Sequence, residues 1–301
     1  RLGRVAAVEH HQISQVVAPE PGVDFRGQLD LHEVFLRWHG ERPLPPALAM
    51  EWAIACDVRP EFFMRSASPL GDSVSGMIHR RLKSLPARPF QRANARIKMT
   101  MLALDDVWSE VNIEPANPVP SVPPGTSPTD AAALVRRLWR VPQGPLPNLV
   151  ALLESAGLPV LYSQSLHEKH SGISHRGVWF EWAVVLNANH PASRLRFSLA
   201  HELGHIVRGH DAAIISDEMA AQSIENEADA FAAALLLPAE DARRELRDLD
   251  YRRLIILKSR WRISIAALIR QAAGHGLIDQ NRRRSLEIQL RTRPASVLVD
   301  Q

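Results

Sequence analysis

The sequence predicts an α+β fold that is mainly helical and carries one small sheet. Apolar residues recur at helical spacing over much of the chain, as at Ile97, Met101 and Leu104. Residues 158–186 instead contain three short runs rich in β-forming side chains. A third observation is the helix-compatible run at residues 197–207, where histidines and a glutamate are enclosed by apolar neighbours. Together these patterns predict helices packed on a small sheet, with a helical unit at the N-terminus.

The composition is that of a soluble globular protein and favours no single class of partner. The 301 residues leave room for two or three compact units. A formal net charge of +3 permits contact with nucleic acid without arguing for it. The lone cysteine, Cys56, excludes an internal disulfide and suits a reducing cytosol. No run is apolar enough to span a membrane and no signal peptide is visible, so we expect a cytoplasmic protein without a membrane partner.

Residues 1–66 are predicted to form a degenerate helix-turn-helix-like unit. Two helices are predicted here, at residues 31–40 and 45–56, and they resemble the back half of a DNA-binding domain of the Xre/Cro repressor type. Prolines and glycines, among them Pro19 and Gly22, interrupt the region where the first helices of such a domain lie. Two roles therefore stay open for this unit: contact with DNA, and a structural or dimerising role. The sequence does not decide the oligomeric state.

The middle of the chain divides into a basic helical connector, residues 67–114, and a Pro-rich linker, residues 115–128. The basic residues of the connector are better explained as a solvated helical face than as a phosphate-binding patch. The prolines predict a stiff, extended linker and a domain boundary. A compact core is then predicted over residues 129–250, and a C-terminal helical subdomain and tail over residues 251–301.

The core begins with two predicted helices and continues with the sheet. Leu134 and Leu138 are expected to face inward from the first helix. The predicted helices span residues 130–141 and 149–156, and the predicted strands span residues 158–162, 172–175 and 179–186. In the C-terminal subdomain Ser264 is expected to cap a helix. Its basic surface leaves contact with DNA or substrate open, and a helical lid packed on the core is the simpler interpretation.

A His-Glu-x-x-His pattern within the apolar run carries the strongest indication of chemistry. His201 and His205 are four residues apart, so a helix places both imidazoles on one face. That spacing suits two nitrogen ligands of a zinc ion, with Glu202 on the adjacent flank as the base for a bound water. Such patterns also arise on the surfaces of ordinary helices. The apolar neighbours and the small Gly204 argue against that interpretation.

A second polar cluster, in the helical segment 225–237, offers the third zinc ligand. A catalytic zinc needs three protein ligands and one open position. Glu225 is the preferred ligand because Asp229, four residues later on the same face, can accept the other N–H of a zinc-bound histidine. Glu227 is the competing ligand, but the residue at the same spacing from it is Phe231. Without a metal, these acids would be the charged first turn of a core helix.

These motifs resemble those of the ImmA/IrrE family of bacterial metallopeptidases, over roughly residues 120–290. The spacing of Glu225 and Asp229 is also similar to that of the wider gluzincin peptidases. The resemblance implies a metallopeptidase core whose small sheet packs on the zinc-binding helices, with one strand holding the substrate chain at its edge. It also implies cleavage of a protein, often a transcriptional repressor, in stress or mobile-element control. The residues that carry it are the run 196–205, then Glu225, Ala228, Asp229, Phe231 and Ala232, and the run 236–238.

The predicted reaction is zinc-dependent hydrolysis of a peptide bond in a regulatory protein. Zinc held by His201, His205 and Glu225 is expected to polarise a water molecule and the scissile carbonyl. Glu202 takes the proton of the water and passes it to the leaving amine, while Asp229 orients a histidine ligand. The activity can be latent until a partner or stress signal arrives. The alternative is a DNA- or partner-binding regulator in which the metallopeptidase fold acts as a sensor or scaffold.

Five further histidines are predicted to lie outside the zinc site. His210 is five residues beyond His205, off the metal-binding face of an ideal helix, and no role is assigned to it. The other four are expected to be surface residues in loops or at strand ends, because the zinc site is already complete. They are His167, His170, His175 and His190.

Overall fold

The structure is a computed structural model, and it describes part of the chain. The chain divides into two compact units, one of residues 1–74 and 80–107 and the other of residues 75–79 and 108–301. The first 45 residues, which hold much of the predicted helix-turn-helix-like unit, lie outside the described part. The described residues are 46–56, 97, 100, 101, 104, 105, 107–111, 114–123, 125–164, 166, 168, 170–177, 180–210 and 218–292.

In the first unit the structure describes one complete helix, α1 (Pro46–Cys56), where the sequence predicts one. Its proline stands in the first turn, where a missing N–H costs nothing. Ala49 and Ala53, one turn apart on the helix, are fully or almost fully buried. Ile97 and Met101, also one helical turn apart, are buried as well. The described parts of this unit therefore follow the predicted helical pattern.

The second unit confirms the predicted α+β class, because its described residues form eight helices and one small sheet. In chain order the elements are α2 (Pro128–Leu138), α3 (Leu149–Ser155), β1 (Val160–Ser163), β2 (Gly172–His175), β3 (Ala183–Asn187), α4 (Ala192–Val207), α5 (Glu218–Leu236), α6 (Ala239–Glu245), α7 (Tyr251–Trp261), α8 (Ile265–Gly274) and α9 (Gln280–Thr292).

The sheet has the strand order β1-β3-β2, so β3 is its central strand. β3 runs parallel to β1, with Val160 opposite Val184, and antiparallel to β2, with Gly172 opposite Leu186. All five residues of β3 are buried, as expected for a strand paired on both sides and covered by helices. The predicted strand at residues 179–186 therefore exists, but it begins at Ala183. Among the described residues β2 is an edge strand, and it also contacts α4.

Helix α2 turns a different face inward than the sequence predicts. Leu138 is 52% exposed, whereas Val135 and Trp139 are buried. The inward face also carries Arg136, which is 8% exposed. Its guanidinium donates to the carbonyl oxygens of Leu235, Pro142 and Gly144. The prediction for Leu138 is wrong because hydrogen bonds to three backbone carbonyls let an arginine occupy the interior.

The turn between α2 and α3 is held by arginines from three separate helical regions. Arg136 donates to Gly144, Arg196 of α4 to the carbonyl of Leu146, and Arg262 to the carbonyl of Pro147. Burial, with the added repulsion of Arg262 and Arg136, lowers the pKa of Arg196 to about 10. It remains charged at neutral pH. The first turns of α4 are thereby tied to the helices that precede the sheet.

The Pro-rich segment at residues 115–128 packs along the second unit over its described part. The backbone N–H of Asn117 donates to the carbonyl of Ser155 at 3.0 Å. The indole N–H of Trp139 donates to the carbonyl of Pro118 at 3.2 Å. At its end Ser127 caps α2 by accepting from the N–H of Asp130. The predicted domain limits themselves stay predictions.

The C-terminal helices cover the core rather than extending away from it. Leu254, Trp261 and Leu268 are fully buried in the same apolar cluster as the residues of α4 and α5. Ser264 caps α8 as predicted, accepting from the N–H of Ala267 at 3.2 Å. Within the part of the chain that the structure describes, none of the helices has the length and apolar content needed to cross a bilayer.

Candidate metal centre

The candidate site lies where helices α4 and α5 cross at close range. Gly204 makes the close approach possible. A methyl group at this position would lie 3.0 Å from the ring of Phe231 and 3.3 Å from the backbone Cα of Ala228. The second half of α4, from Ser198 to Val207, is entirely buried. Histidines and a glutamate in such a segment need partners, because unpaired polar groups are costly in the interior.

His201 and His205 lie one turn apart on α4, with their imidazoles facing the same point. Their Nε2 atoms are 3.0 Å apart and their ring centroids 4.7 Å apart. Both residues are buried, at 9% and 3% exposure. The four-residue spacing in the sequence thus becomes a pair of nitrogen atoms at one place in the interior.

Glu225, in the second turn of α5, presents its carboxylate to both histidines. Its Oε2 lies 3.3 Å from the Nε2 of His201, and its Oε1 lies 3.7 Å from the Nε2 of His205. One ligand atom from each of the three residues fits within a span of 4.8 Å. Among the residues that the structure describes, they form the single group of three with this property. The competing candidate, Glu227, is directed away from this point and toward Arg208.

The opposite ring nitrogen of each histidine has its own neighbour. The Nδ1 of His201 lies 2.8 Å from a carboxylate oxygen of Asp229, the pairing that the sequence predicts. The Nδ1 of His205 lies 3.1 Å from the Nδ1 of His210. A carboxylate beside Nδ1 keeps the proton on that nitrogen and leaves Nε2 as a lone-pair donor.

The residues present fit a zinc ion. Two Nε2 lone pairs and a carboxylate converge on one point, and such acceptors repel one another unless a cation lies between them. Two histidines and a glutamate are also the ligand set of one class of catalytic zinc site. We conclude that His201, His205 and Glu225 can hold the ion. Their roles as ligands remain predictions.

Glu202 lies beside this group and is 2% exposed. Its Oε2 accepts a hydrogen bond from the hydroxyl of Ser174 on β2, at 2.9 Å. Gly172 on the same strand leaves room for the glutamate, because a methyl group there would lie 3.3 Å from its Cγ. The edge strand of the sheet therefore shapes the surroundings of the predicted base. The sequence places Gly172 and Ser174 on a strand but does not indicate this contact.

His210 is the residue that sequence reasoning missed. Helix α4 ends at Val207, and Gly209, with a φ of +63°, turns the chain back. The N–H of His210 then donates to the carbonyl of His205 at 3.0 Å, which closes a Schellman motif. A residue off the metal-binding face of an ideal helix is thereby brought against a ligand. The Arg-Gly-His sequence after the helix was the available signal.

Glu227 and Arg208 surround His210 on its other side. The Oε2 of Glu227 lies 3.4 Å from the Nε2 of His210 and accepts from the Nε of Arg208 at 3.0 Å. A second guanidinium nitrogen of Arg208 pairs with the same oxygen, and a third donates to the carbonyl of Thr126 at 2.7 Å. Burial lowers the pKa of His210 and the charge of Arg208 lowers it further, whereas Glu227 and Glu225 oppose both effects.

The remaining histidines lie apart from the three-residue group, and two of them correct the prediction. His170 and His175 are 5% and 2% exposed, so the expectation of surface positions is wrong for both. His175 is on β2, which is covered by α4, and its Nδ1 pairs with the carbonyl of Arg176. His190 contacts the carbonyl of Glu168 through Nε2. His167 lies outside the described residues.

An open cavity of about 370 Å³ extends from Asp229 along α5. Its lining is mostly apolar and includes three alanines of α5, which leave space between this helix and α8. Arg270, an exposed residue of α8, lies at the cavity. The cavity thus places apolar surface next to the residue that contacts His201.

The residues of the site are the ligand set of one class of zinc peptidase, and comparison with protein families supports a metallopeptidase. Residues 153–272 match the family model Peptidase_M78, described as the IrrE N-terminal-like domain. The matched stretch includes the whole sheet and all five predicted site residues. The resemblance to ImmA/IrrE-type metallopeptidases is thereby confirmed for this part of the chain. No curated protein matches the chain.

Proposed function

We propose that this protein is a zinc-dependent endopeptidase that hydrolyses a peptide bond in a regulatory protein, such as a transcriptional repressor. The observation that carries the proposal is the convergence of His201, His205 and Glu225 within 4.8 Å, with the buried Glu202 beside them. The match of residues 153–272 to a peptidase family supports it. The choice of a regulatory protein rests on the resemblance to ImmA/IrrE enzymes.

The ion would be held by the two imidazoles and the glutamate. When bound, zinc supplies Lewis-acid polarisation of a substrate carbonyl and makes water more acidic. Glu202 accepts a proton from the attacking water at its carboxylate and delivers it to the leaving nitrogen. Ser174 restricts rotation of that carboxylate by donating to Oε2. Asp229 keeps the imidazole of His201 oriented.

The substrate chain would lie along β2. This strand pairs only with β3 among the described strands, so its outer edge can accept an added strand. β2 also carries Ser174, which contacts Glu202, so a chain bound at its edge would run close to the predicted base. The apolar cavity beside Asp229 offers a place for an apolar side chain of the substrate.

The test compares the wild type with Glu202→Gln. We expect both proteins to bind close to one zinc ion, and only the wild type to cleave a mixture of fluorescence-quenched peptides. Loss of zinc from the variant, or cleavage by it, would contradict the role of Glu202. A second comparison labels new protein N-termini in host cells that express either protein. Cleaved repressors present only with the wild type are expected, and cleavage confined to other proteins would overturn the choice of substrate.

A further inference from the structure

The neighbours of His205 form a chain of polar contacts that leads away from the predicted zinc ligand. The chain runs from the Nδ1 of His205 to His210, from there to Glu227, and then to Arg208, which is bound to the carbonyl of Thr126. The side chains of His210 and Arg208 are 9% and 11% exposed. Glu227, between them, is 36% exposed, so water competes weakly at His210 and more readily at the carboxylate.

The first contact of the chain constrains where the protons lie. The two Nδ1 atoms are 3.1 Å apart, so one must donate and the other must accept. If His210 donates, the proton of a neutral His205 lies on Nε2, which then cannot bind a metal ion. If His205 donates, its Nε2 is a lone-pair donor directed at Glu225. Only the second arrangement supports zinc binding.

Glu227 selects the second arrangement. Its Oε2 lies 3.4 Å from the Nε2 of His210 and, as a carboxylate, can only accept. A proton on the Nε2 of a neutral His210 leaves its Nδ1 bare, ready to accept from His205. Arg208 holds the carboxylate of Glu227 in place by donating to the same oxygen from two nitrogens. The carbonyl of Thr126 in turn fixes the guanidinium.

We propose that His210 is a positioning residue for the metal ligand His205, and that Glu227, held by Arg208, sets the direction of the hydrogen bond between them. His210 would do for His205 what Asp229 does for His201. The inference rests on the zinc site of the proposed function but not on peptide cleavage. It also gives Glu227 a role that differs from the ligand role for which it competed with Glu225.

The first measurement is zinc affinity by competition with a chromophoric chelator. Replacement of an outer partner of a histidine ligand typically weakens metal binding about 10–100-fold. We expect a loss of that size for His210→Ala and for Glu227→Ala. The double variant should lose no more than His210→Ala alone, because the two residues act through one contact. Asp229 supports the other histidine. The fold-loss of zinc affinity in Asp229→Ala should therefore multiply with that of His210→Ala when both substitutions are combined.

The second measurement is the tautomer of His205, read by two-bond ¹H–¹⁵N correlation in the metal-free protein. We expect the proton on Nδ1 in the wild type and in Asp229→Ala, and a mixture of tautomers in His210→Ala and Glu227→Ala. Because His210→Ala could disturb folding, His210→Asn is measured beside it, with circular dichroism as the check of fold. Asparagine is too short to bridge His205 and Glu227, so we expect the same mixture.

The outcomes separate this inference from the proposed function. Unchanged zinc affinity and an unchanged His205 tautomer in folded His210 and Glu227 variants would overturn the positioning role, even if the wild type is an active peptidase. Failure of the wild type to bind zinc would overturn the proposed function instead. In that case the tautomer measurement, which needs no metal, still decides whether His210 and Glu227 control His205.

Discussion

The two histidines of the site occupy similar positions on α4 but are supported in different ways. The Nδ1 of His201 contacts the carboxylate of Asp229, whose side chain is 58% exposed. His205 contacts the buried His210, which is backed by Glu227 and Arg208. One support is therefore a single exposed carboxylate. The other is a chain of side chains that is largely buried at His210 and Arg208 and partly exposed at Glu227.

The difference shows that one physical requirement can be met with two kinds of chemistry. Each imidazole must keep its proton on Nδ1 if Nε2 is to bind a metal ion. A carboxylate meets this requirement directly, because it can only accept. An imidazole can donate or accept, so His210 needs Glu227 to determine its direction. Water can partly replace the exposed Asp229, and it has less access to the position of His210.

The largest effect is expected from Glu225→Ala, which removes the group that both histidines face. The loss of zinc affinity should exceed the roughly 100-fold upper range for outer partners, because a ligand itself is lost. Zinc content after dialysis against a weak chelator measures this. Asn226→Ala, at the exposed neighbouring position, is the control for damage to α5 and should keep its zinc. Near-complete zinc loss in Glu227→Ala with zinc retained in Glu225→Ala would reverse the assignment of the ligand.

Much of this arrangement follows from local sequence spacing. His201, His205, Glu225 and Asp229 come together because helical periodicity fixes which residues share a face, and the two faces then meet. The strand at residues 172–175 has the predicted limits, and Ser264 caps a helix as predicted. Both are local features. Signals of this kind need no knowledge of the tertiary structure.

What could not be predicted depends on contacts between distant segments. The pairing of Ser174 with Glu202 requires the register of β2 against α4, which the sequence does not state. The inward position of Arg136 depends on carbonyls of Pro142, Gly144 and Leu235. The contact between His205 and His210 depends on where α4 ends. A prediction that extends the helix past Val207 misses this contact. Helix ends are set by local capping, so Gly209 could have indicated that α4 ends before it.

A smaller effect on zinc affinity is expected from Gly204→Ala, which should push α4 and α5 apart. The added methyl group would meet the Cα of Ala228 at 3.3 Å, and a backbone atom cannot yield unless α5 moves. We expect the free energy of unfolding to fall by about 1 kcal/mol, because overpacking outweighs the gain in helix propensity. Asp229 lies on α5, so its contact with His201 should weaken more than the contact of His205 with His210.

Gly274→Ala is the matched control, since nothing lies within 4 Å of a methyl group at that position of α8. Gly274 is the last residue of α8, so helix propensity acts only in part, and the free energy of unfolding should rise by less than about 1 kcal/mol. Chemical denaturation of both metal-free variants gives the two values. Zinc affinity should fall only in Gly204→Ala. Equal stabilisation by both substitutions would mean that α5 adjusts freely, so that the spacing of the two helices does not constrain the site.

The smallest effect is expected from Arg208→Lys, which keeps the charge at the far end of the His205 support. Lysine cannot reproduce the fork that contacts both Glu227 and the carbonyl of Thr126. Zinc affinity should fall by less than the roughly 10-fold lower range for residues that touch a ligand, because Arg208 acts through two intermediates. Stability should fall by about 1 kcal/mol.

Arg283→Lys is the control for that substitution, because Arg283 forms a partly exposed ion pair with Glu287 on α9, away from the site. Such pairs contribute about 0.3–0.5 kcal/mol, and lysine preserves most of that. Calorimetric titration with zinc and thermal unfolding compare the two variants. A loss of zinc affinity in Arg208→Lys as large as that of His210→Ala would place Arg208 nearer to the ligand than the contact chain allows. If Arg208→Lys and Arg283→Lys had the same zinc affinity and the same stability, the chain of contacts would effectively end at Glu227. The support of His205 would then be nearly as short as that of His201.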